Sequence, residues 1–114
     1  MNKEFRIKKN QEIETLLKQN KRVGNGQFSL YYDFKPESNH FRYAISVPKK
    51  YGTAVERNRI KRQLRAAIQL SEIDIKVDFF VIVKPAVKGL SYQAINESLT
   101  NLFARAKIIE GQDK

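Results

Sequence analysis

The chain has 114 residues, 41% of them apolar, which is enough for one domain (1–114) around one modest core, and it carries a formal net charge of +10 at pH 7 with a pI near 9.9. That charge balance points to nucleic acid before an acidic protein partner, and 11% aromatic residues exclude a disordered basic tail. The absence of cysteine excludes a disulfide framework and a thiolate metal site; with neither a signal-peptide core nor a window of membrane-spanning length, a soluble cytoplasmic protein is expected.

In chain order, residues 1–9 set Lys3, Arg6, Lys8 and Lys9 around Phe5 and Ile7, and read either as an extended basic arm or as a frayed terminus. Asn10 is placed to cap a helix from Gln11 to about Asn20, with Glu12 and Glu14 near its positive end. Its apolar stripe, Ile13, Leu16 and Leu17, is narrow, as suits a helix at the margin of a sheet. Lys21-Arg22 leads into a glycine-rich loop at 23–26, with room for a short strand at Arg22 and Val23.

Two strands are expected next, Gln27 to Phe34 and Phe41 to Val47, separated by a turn at Pro36 to Asn39. Alternation puts Phe28, Leu30, Tyr32 and Phe34 on one face with Phe41, Tyr43, Ile45 and Val47, which makes that face a core. The other face carries Ser29, Tyr31, Asp33, Arg42, Ala44 and Ser46, a polar floor with one aromatic on which a flat base could settle. Tyr31 reads there either as a base platform or as a surface aromatic without a ligand.

Between Pro48 and Arg65 the chain places Lys49, Lys50, Arg57, Arg59, Lys61, Arg62 and Arg65 against one acid, Glu56. Six of the ten net positive charges therefore fall on this segment, too many for one stretch without a polyanion to meet them. Thr53-Ala54-Val55-Glu56 has the form of a capping box, so a helix starts at Ala54. Ile60, Leu64, Ala67 and Ile68 share its buried flank. Asn58, Lys61, Arg62 and Arg65 follow i, i+3, i+4, i+7 on a neighbouring flank, and Arg59 points elsewhere. Arg57 projects near Leu64 and Ile68, so its guanidinium is expected at the edge of the core and in need of partners.

Val77 to Lys84 is nearly continuous apolar and closes on Pro85, the pattern of a strand covered on both faces. Ser91 caps a last helix with Ile95, Leu99, Leu102, Phe103 and Ala106 on its core face, and 110–114 read as frayed. The order helix, strand, strand, helix, strand, helix is α+β, a single domain in two layers with helices packed on a small sheet.

Lys49-Lys50, Gly52, Ala54-Val55, Arg57-Asn58-Arg59, Lys61-Arg62 and Arg65 resemble the "RNR" signature of the bacterial ribonuclease P protein subunit. The resemblance extends to Arg6-Ile7-Lys8-Lys9, to Asn25 and Gln27-Phe28, and to Phe41-Arg42 and Ile45-Ser46-Val47. The chain departs from the family pattern at Ile13 and Leu17, where phenylalanines are frequent, at Gly26, where arginine is usual, and at Pro48, where serine or glycine is common. The resemblance implies a mixed sheet with a left-handed β-α-β crossover, against the usual right-handed rule. It also implies that a catalytic RNA with Mg²⁺ removes the 5′ leader of precursor tRNA, with no cofactor bound tightly by the protein. By the same transfer, Lys49, Lys50 and the helix residues Arg57, Asn58, Arg59, Lys61, Arg62 and Arg65 face ribonuclease P RNA, and Arg6, Lys8 and Lys9 form a basic arm. A cleft marked by Ile13, Leu17, Phe28, Tyr31, Arg42 and Ser46 takes the single-stranded leader, with Phe28 facing the core by alternation and so a buttress.

Cutting RNA without help needs a general acid and base or a metal cage. The single histidine, His40, lies in a turn and reads as a solvated loop residue, while Glu12, Glu14, Asp33, Glu72, Asp74 and Asp78 are scattered. Neither a phosphate-binding Walker loop nor a glycine fingerprint is present. No catalytic residue and no metal ligand is therefore assigned to this chain. The alternative to a ribonuclease P subunit is a structural RNA binder, such as a ribosomal protein or assembly factor with no processing role.

Overall fold

The computed structural model describes residues 5–19, 21–71 and 73–109. Lys3, Asn20, Glu72 and the tail at 110–114, named above, lie outside them. The elements are α1 (Asn10–Lys18), β1 (Arg22–Gly24), β2 (Phe28–Phe34), β3 (Arg42–Ser46), α2 (Ala54–Leu70), β4 (Val77–Val83) and α3 (Tyr92–Arg105), with short 3-10 turns at Lys49–Tyr51 and Pro85–Val87. The short strand at Arg22 forms and gives the sheet its fourth member.

The strand order is β1-β2-β4-β3, with β2 antiparallel to both β1 and β4, and β3 parallel to β4. A parallel pair needs a long crossover, and α2 supplies it. Because β4 is central, both of its faces are covered. Phe79, Val81 and Val83 pack with Phe28, Leu30 and Tyr43 against Ile60, Leu64 and Ile68 of α2 and Leu99, Leu102 and Phe103 of α3. Phe80 turns to the opposite face, where it meets Ile7 and Leu16. The sheet and the α2–α3 pair form the two expected layers; α1 adds a short cover on the other side, and its inward residue is Leu16, 3% exposed, whereas Leu17 is 41% exposed.

Local signals account for the helix ends. The capping box closes as expected: Glu56 N–H donates to Thr53 Oγ1 at 3.2 Å and Thr53 N–H donates to Glu56 Oε1 at 2.8 Å. Gly52 is required beside it, because a Cβ there would run into the Glu56 carboxylate. Ser91 Oγ accepts from Ala94 N–H at 3.1 Å and starts α3. Asn10 does not cap α1. The N-cap is Lys9, with no side-chain cap bond, and Asn10 is already helical. Residues 7–9 lie along the sheet edge, with Ile7 N–H donating to the Tyr43 carbonyl at 2.8 Å, so the helix begins where that docking ends.

Asn25 holds the turn before β2. Its Oδ1 accepts from the N–H groups of Gln27 and Phe28, both at 2.9 Å, and its Nδ2 donates to Ser98 Oγ on α3, also at 2.9 Å. Lys84 Nζ donates to the Asn25 carbonyl at 2.6 Å, so one side chain and its backbone join the turn to α3 and to the end of β4.

Candidate nucleic-acid interface

On α2, the flank beside the buried stripe carries the cations. Asn58, Arg59 and Arg62 are exposed, Arg57, Lys61 and Arg65 are half-buried, and Lys49 and Lys50 stand exposed in the 3-10 turn before the helix. That turn is anchored by Tyr51, 7% exposed, whose hydroxyl pKa burial pushes up. Among the described residues no carboxylate pairs with Arg57, Arg59, Lys61, Arg62 or Arg65. Glu56, the single acid of the segment, is committed to the cap and to Lys88 at 3.3 Å. The ridge is left as uncompensated positive charge, the electrostatic form of a phosphate-binding surface.

Arg57 does sit at the core edge, but its need for partners is unmet: its buried Nε has no hydrogen-bond partner among the described residues. The neighbouring acid cannot serve it, because the capping box turns Glu56 toward Thr53.

The ridge does not stand alone. Arg6 forms an isolated parallel bridge to Tyr43 along the outer edge of β3, so residues 5–9 are an ordered arm rather than a frayed end. Lys8 and Lys9 on this arm are exposed. Between the arm, α1, β3 and α2 lies a cavity of about 210 Å³. Arg6, Lys61 and Arg65 line it together with Ile7, Ile13, Ala44 and Phe80, so cations and apolar surface share one opening. Among the described residues no group of three or more His, Cys, Asp or Glu side chains is placed to hold a metal ion.

A charged surface joined to a mixed cleft marks an RNA binder; the family model for ribonuclease P matches residues 1–107. The chain belongs to the ribonuclease P protein family. It is 41% identical over 112 residues to the ribonuclease P protein component of Acholeplasma laidlawii, covering 96% of each chain. It is 44% identical over 108 residues to that of Macrococcus caseolyticus, covering 94% of each. Among solved structures, a Staphylococcus aureus RNase P protein mutant with defective mRNA degradation activity matches with a TM-score of 0.86 at 38% identity, over 92% of this chain and 90% of that one.

Of the cleft residues expected in this ribonuclease P protein, Phe28 faces the core as alternation implied, and Arg42 lies on the expected face with its side chain already engaged. Phe28 is wholly buried in the core on the far face of the sheet, because its parity matches Leu30 and opposes Tyr31. Arg42 lies on the polar face but is tied down: Nε and Nη2 donate to Asp78 Oδ1 and Oδ2 at 3.1 and 2.7 Å, and Nη2 also donates to Glu12 Oε2 at 2.8 Å. Those bonds, Asp78 first and Glu12 second, push the Arg42 pKa up, and they clamp α1 to the sheet. A guanidinium so engaged has little left for a leader phosphate.

Of the other expected cleft residues only Ile13 lines the cavity; Tyr31 packs with Phe80 on the same face of the sheet, Ser46 lies at the end of β3 beside Ile82, and Leu17 is exposed on α1. Tyr31 is half-buried, with the Arg22 guanidinium 5.9 Å from its ring centre. His40 is not a free loop residue: its ring lies 4.3 Å from that of Phe5 and it is half-buried. Sequence reasoning missed Phe80 and Tyr43. Phe80 belongs to a continuous apolar run, which has no alternation to show that one of its aromatics faces the cleft.

Proposed function

We propose that the chain is the protein subunit of the ribonuclease P holoenzyme, an endoribonuclease in which ribonuclease P RNA with Mg²⁺ does the cutting and the protein holds RNA and substrate. The observation that carries this is the continuity of the unpaired cation ridge of α2 with the cleft between α1 and the polar face of the sheet. The ridge meets the catalytic RNA, and the cleft takes the single-stranded 5′ leader of precursor tRNA along Ile13, Leu17, Tyr31, Phe80 and Ser46. The chain supplies no general acid or base. It neutralises crowded phosphates, and that screening raises the apparent affinity of the RNA for catalytic Mg²⁺. Such work belongs in the cytoplasm, and no helix among the described residues is long and apolar enough to cross a membrane.

The test is cleavage of precursor tRNA at low Mg²⁺ by the RNA alone, the chain alone and the two together. Efficient cleavage is expected only from the combination. Equal cleavage by the RNA with and without the chain, over a series of Mg²⁺ concentrations, would reject the assignment.

A further inference from the structure

Tyr43 is an unusual core residue. It is 1% exposed, and its ring stacks on Phe41 and Phe79 with centroids 6.3 and 5.8 Å away. Ring packing of that kind needs only a phenylalanine. A buried hydroxyl brings a desolvation cost unless it is hydrogen-bonded, so its partners decide what it is for. Tyr43 lies on β3, the edge strand of the sheet, and lines the cavity that Arg6, Lys61 and Arg65 share. Arg6 and Arg65 line that cavity with it, and both guanidiniums act on the hydroxyl. Burial pushes the phenol pKa up and the two guanidiniums pull it back, as expected of an oxygen held between cations.

We propose that Tyr43 is a positioning residue whose buried hydroxyl holds Arg6 of the N-terminal arm beside Arg65 of α2, so that with Lys61 they present one preformed phosphate site at the cleft mouth. Two guanidiniums repel each other, and long side chains lose rotamer freedom when fixed. A shared acceptor offsets both effects before RNA arrives. The phosphate then meets an ordered pair rather than having to order it, and affinity rises by the cost avoided. This rests on the RNA-binding reading of the α2 ridge, and it assigns the junction of arm and ridge to one phosphate group of the RNA.

Tyr43→Phe removes the hydroxyl and keeps the ring. The holoenzyme should then bind precursor tRNA, or the protein its RNA, roughly three- to tenfold more weakly, the range expected when one or two long side chains must be ordered on binding. The melting temperature should stay close to that of the parent chain. In an Arg65→Ala background the same substitution should have a much smaller effect, because half of what it positions has gone. NMR supplies a signature independent of affinity: the slowly exchanging guanidinium N–H signals of Arg6 and Arg65 should be lost together in Tyr43→Phe. Wild-type affinity in Tyr43→Phe, alongside weakened binding in Arg65→Ala, overturns the positioning role and leaves the ridge intact. Full affinity in Arg65→Ala overturns the RNA-binding reading itself. A Tyr43→Phe loss that is undiminished in the Arg65→Ala background makes the hydroxyl merely structural and also overturns the proposal. Should Tyr43→Phe fold poorly, Arg6→Ala combined with Arg65→Ala tests the pair, and strictly additive losses in affinity would refute it.

Discussion

Arg42→Leu separates the structural from the ligand-binding reading of the polar sheet face. Asp78 is buried, its side chain 4% exposed, and Arg42 supplies two of its hydrogen bonds at 3.1 and 2.7 Å. Removing one partner of such a pair costs about 3–5 kcal/mol, because the remaining charge stays desolvated. The low end applies here, since the Arg42 side chain is 29% exposed and Lys35 stands near enough to feel Asp78. The Glu12 pair adds little, about 0–1 kcal/mol, as Glu12 is 35% exposed. For a chain of 114 residues, about 3 kcal/mol corresponds to a fall in melting temperature of roughly 12 °C. The double variant Arg42→Leu/Asp78→Leu removes both charges and should recover most of that loss, since apolar replacement of a whole buried pair is often neutral. Thermal and urea melts of the three proteins, followed by precursor tRNA binding by the folded double variant, make the assay. A melting temperature for Arg42→Leu within about 2 °C of the parent, or a double variant no more stable than the single one, would refute the clamp. Normal stability of the double variant with selective loss of leader-dependent binding would return Arg42 to the leader site.

Arg62→Ala, on the exposed ridge, should weaken binding to ribonuclease P RNA and lower the log–log salt slope by roughly 0.7 to 0.9, with no change in the thermal melt. An unchanged slope would move the RNA surface off α2. Arg57→Met should leave the free protein as stable or slightly more stable, because a buried Nε without a partner is replaced by an apolar group, while RNA affinity falls; a clear fall in melting temperature would show that Arg57 is satisfied within the fold. Tyr31→Ala should weaken binding of a precursor with a leader of several nucleotides, where base stacking is worth roughly 1–3 kcal/mol, and spare a substrate with a one-nucleotide leader. Equal effects on both substrates would make Tyr31 a packing residue only. The backbone bond from Thr53, followed by the Lys88 contact, holds the Glu56 pKa below its usual value, so its stabilisation is complete above the unfolded pKa and is lost as pH falls through the folded one. Melting temperatures of Glu56→Gln and the parent should therefore converge in acid and separate toward neutral pH, and a constant gap between them would contradict this.

Local interactions made much of the molecule legible in the sequence. The capping box at Thr53 and Glu56 started α2 at Ala54 because the two halves of the motif are only three positions apart, and the buried flank from Ile60 to Ile68 followed from helical period alone. Parity sorted Phe28 from Tyr31 in the same way and made Phe28 a core-facing buttress rather than part of the cleft wall. What sequence could not supply were pairings distant along the chain. Arg42 reads as a free cation on a polar floor until parallel pairing of β3 with β4 sets it opposite Asp78. Tyr43 reads as one more core aromatic until the arm docks at Arg6 and α2 brings Arg65 to the same cavity. The charge of the ridge was written in the composition, but which cations stay free depends on where the carboxylates end up. That is decided by the strand order, which turns Asp78 to Arg42, and by the cap, which with Lys88 holds Glu56 away from the ridge.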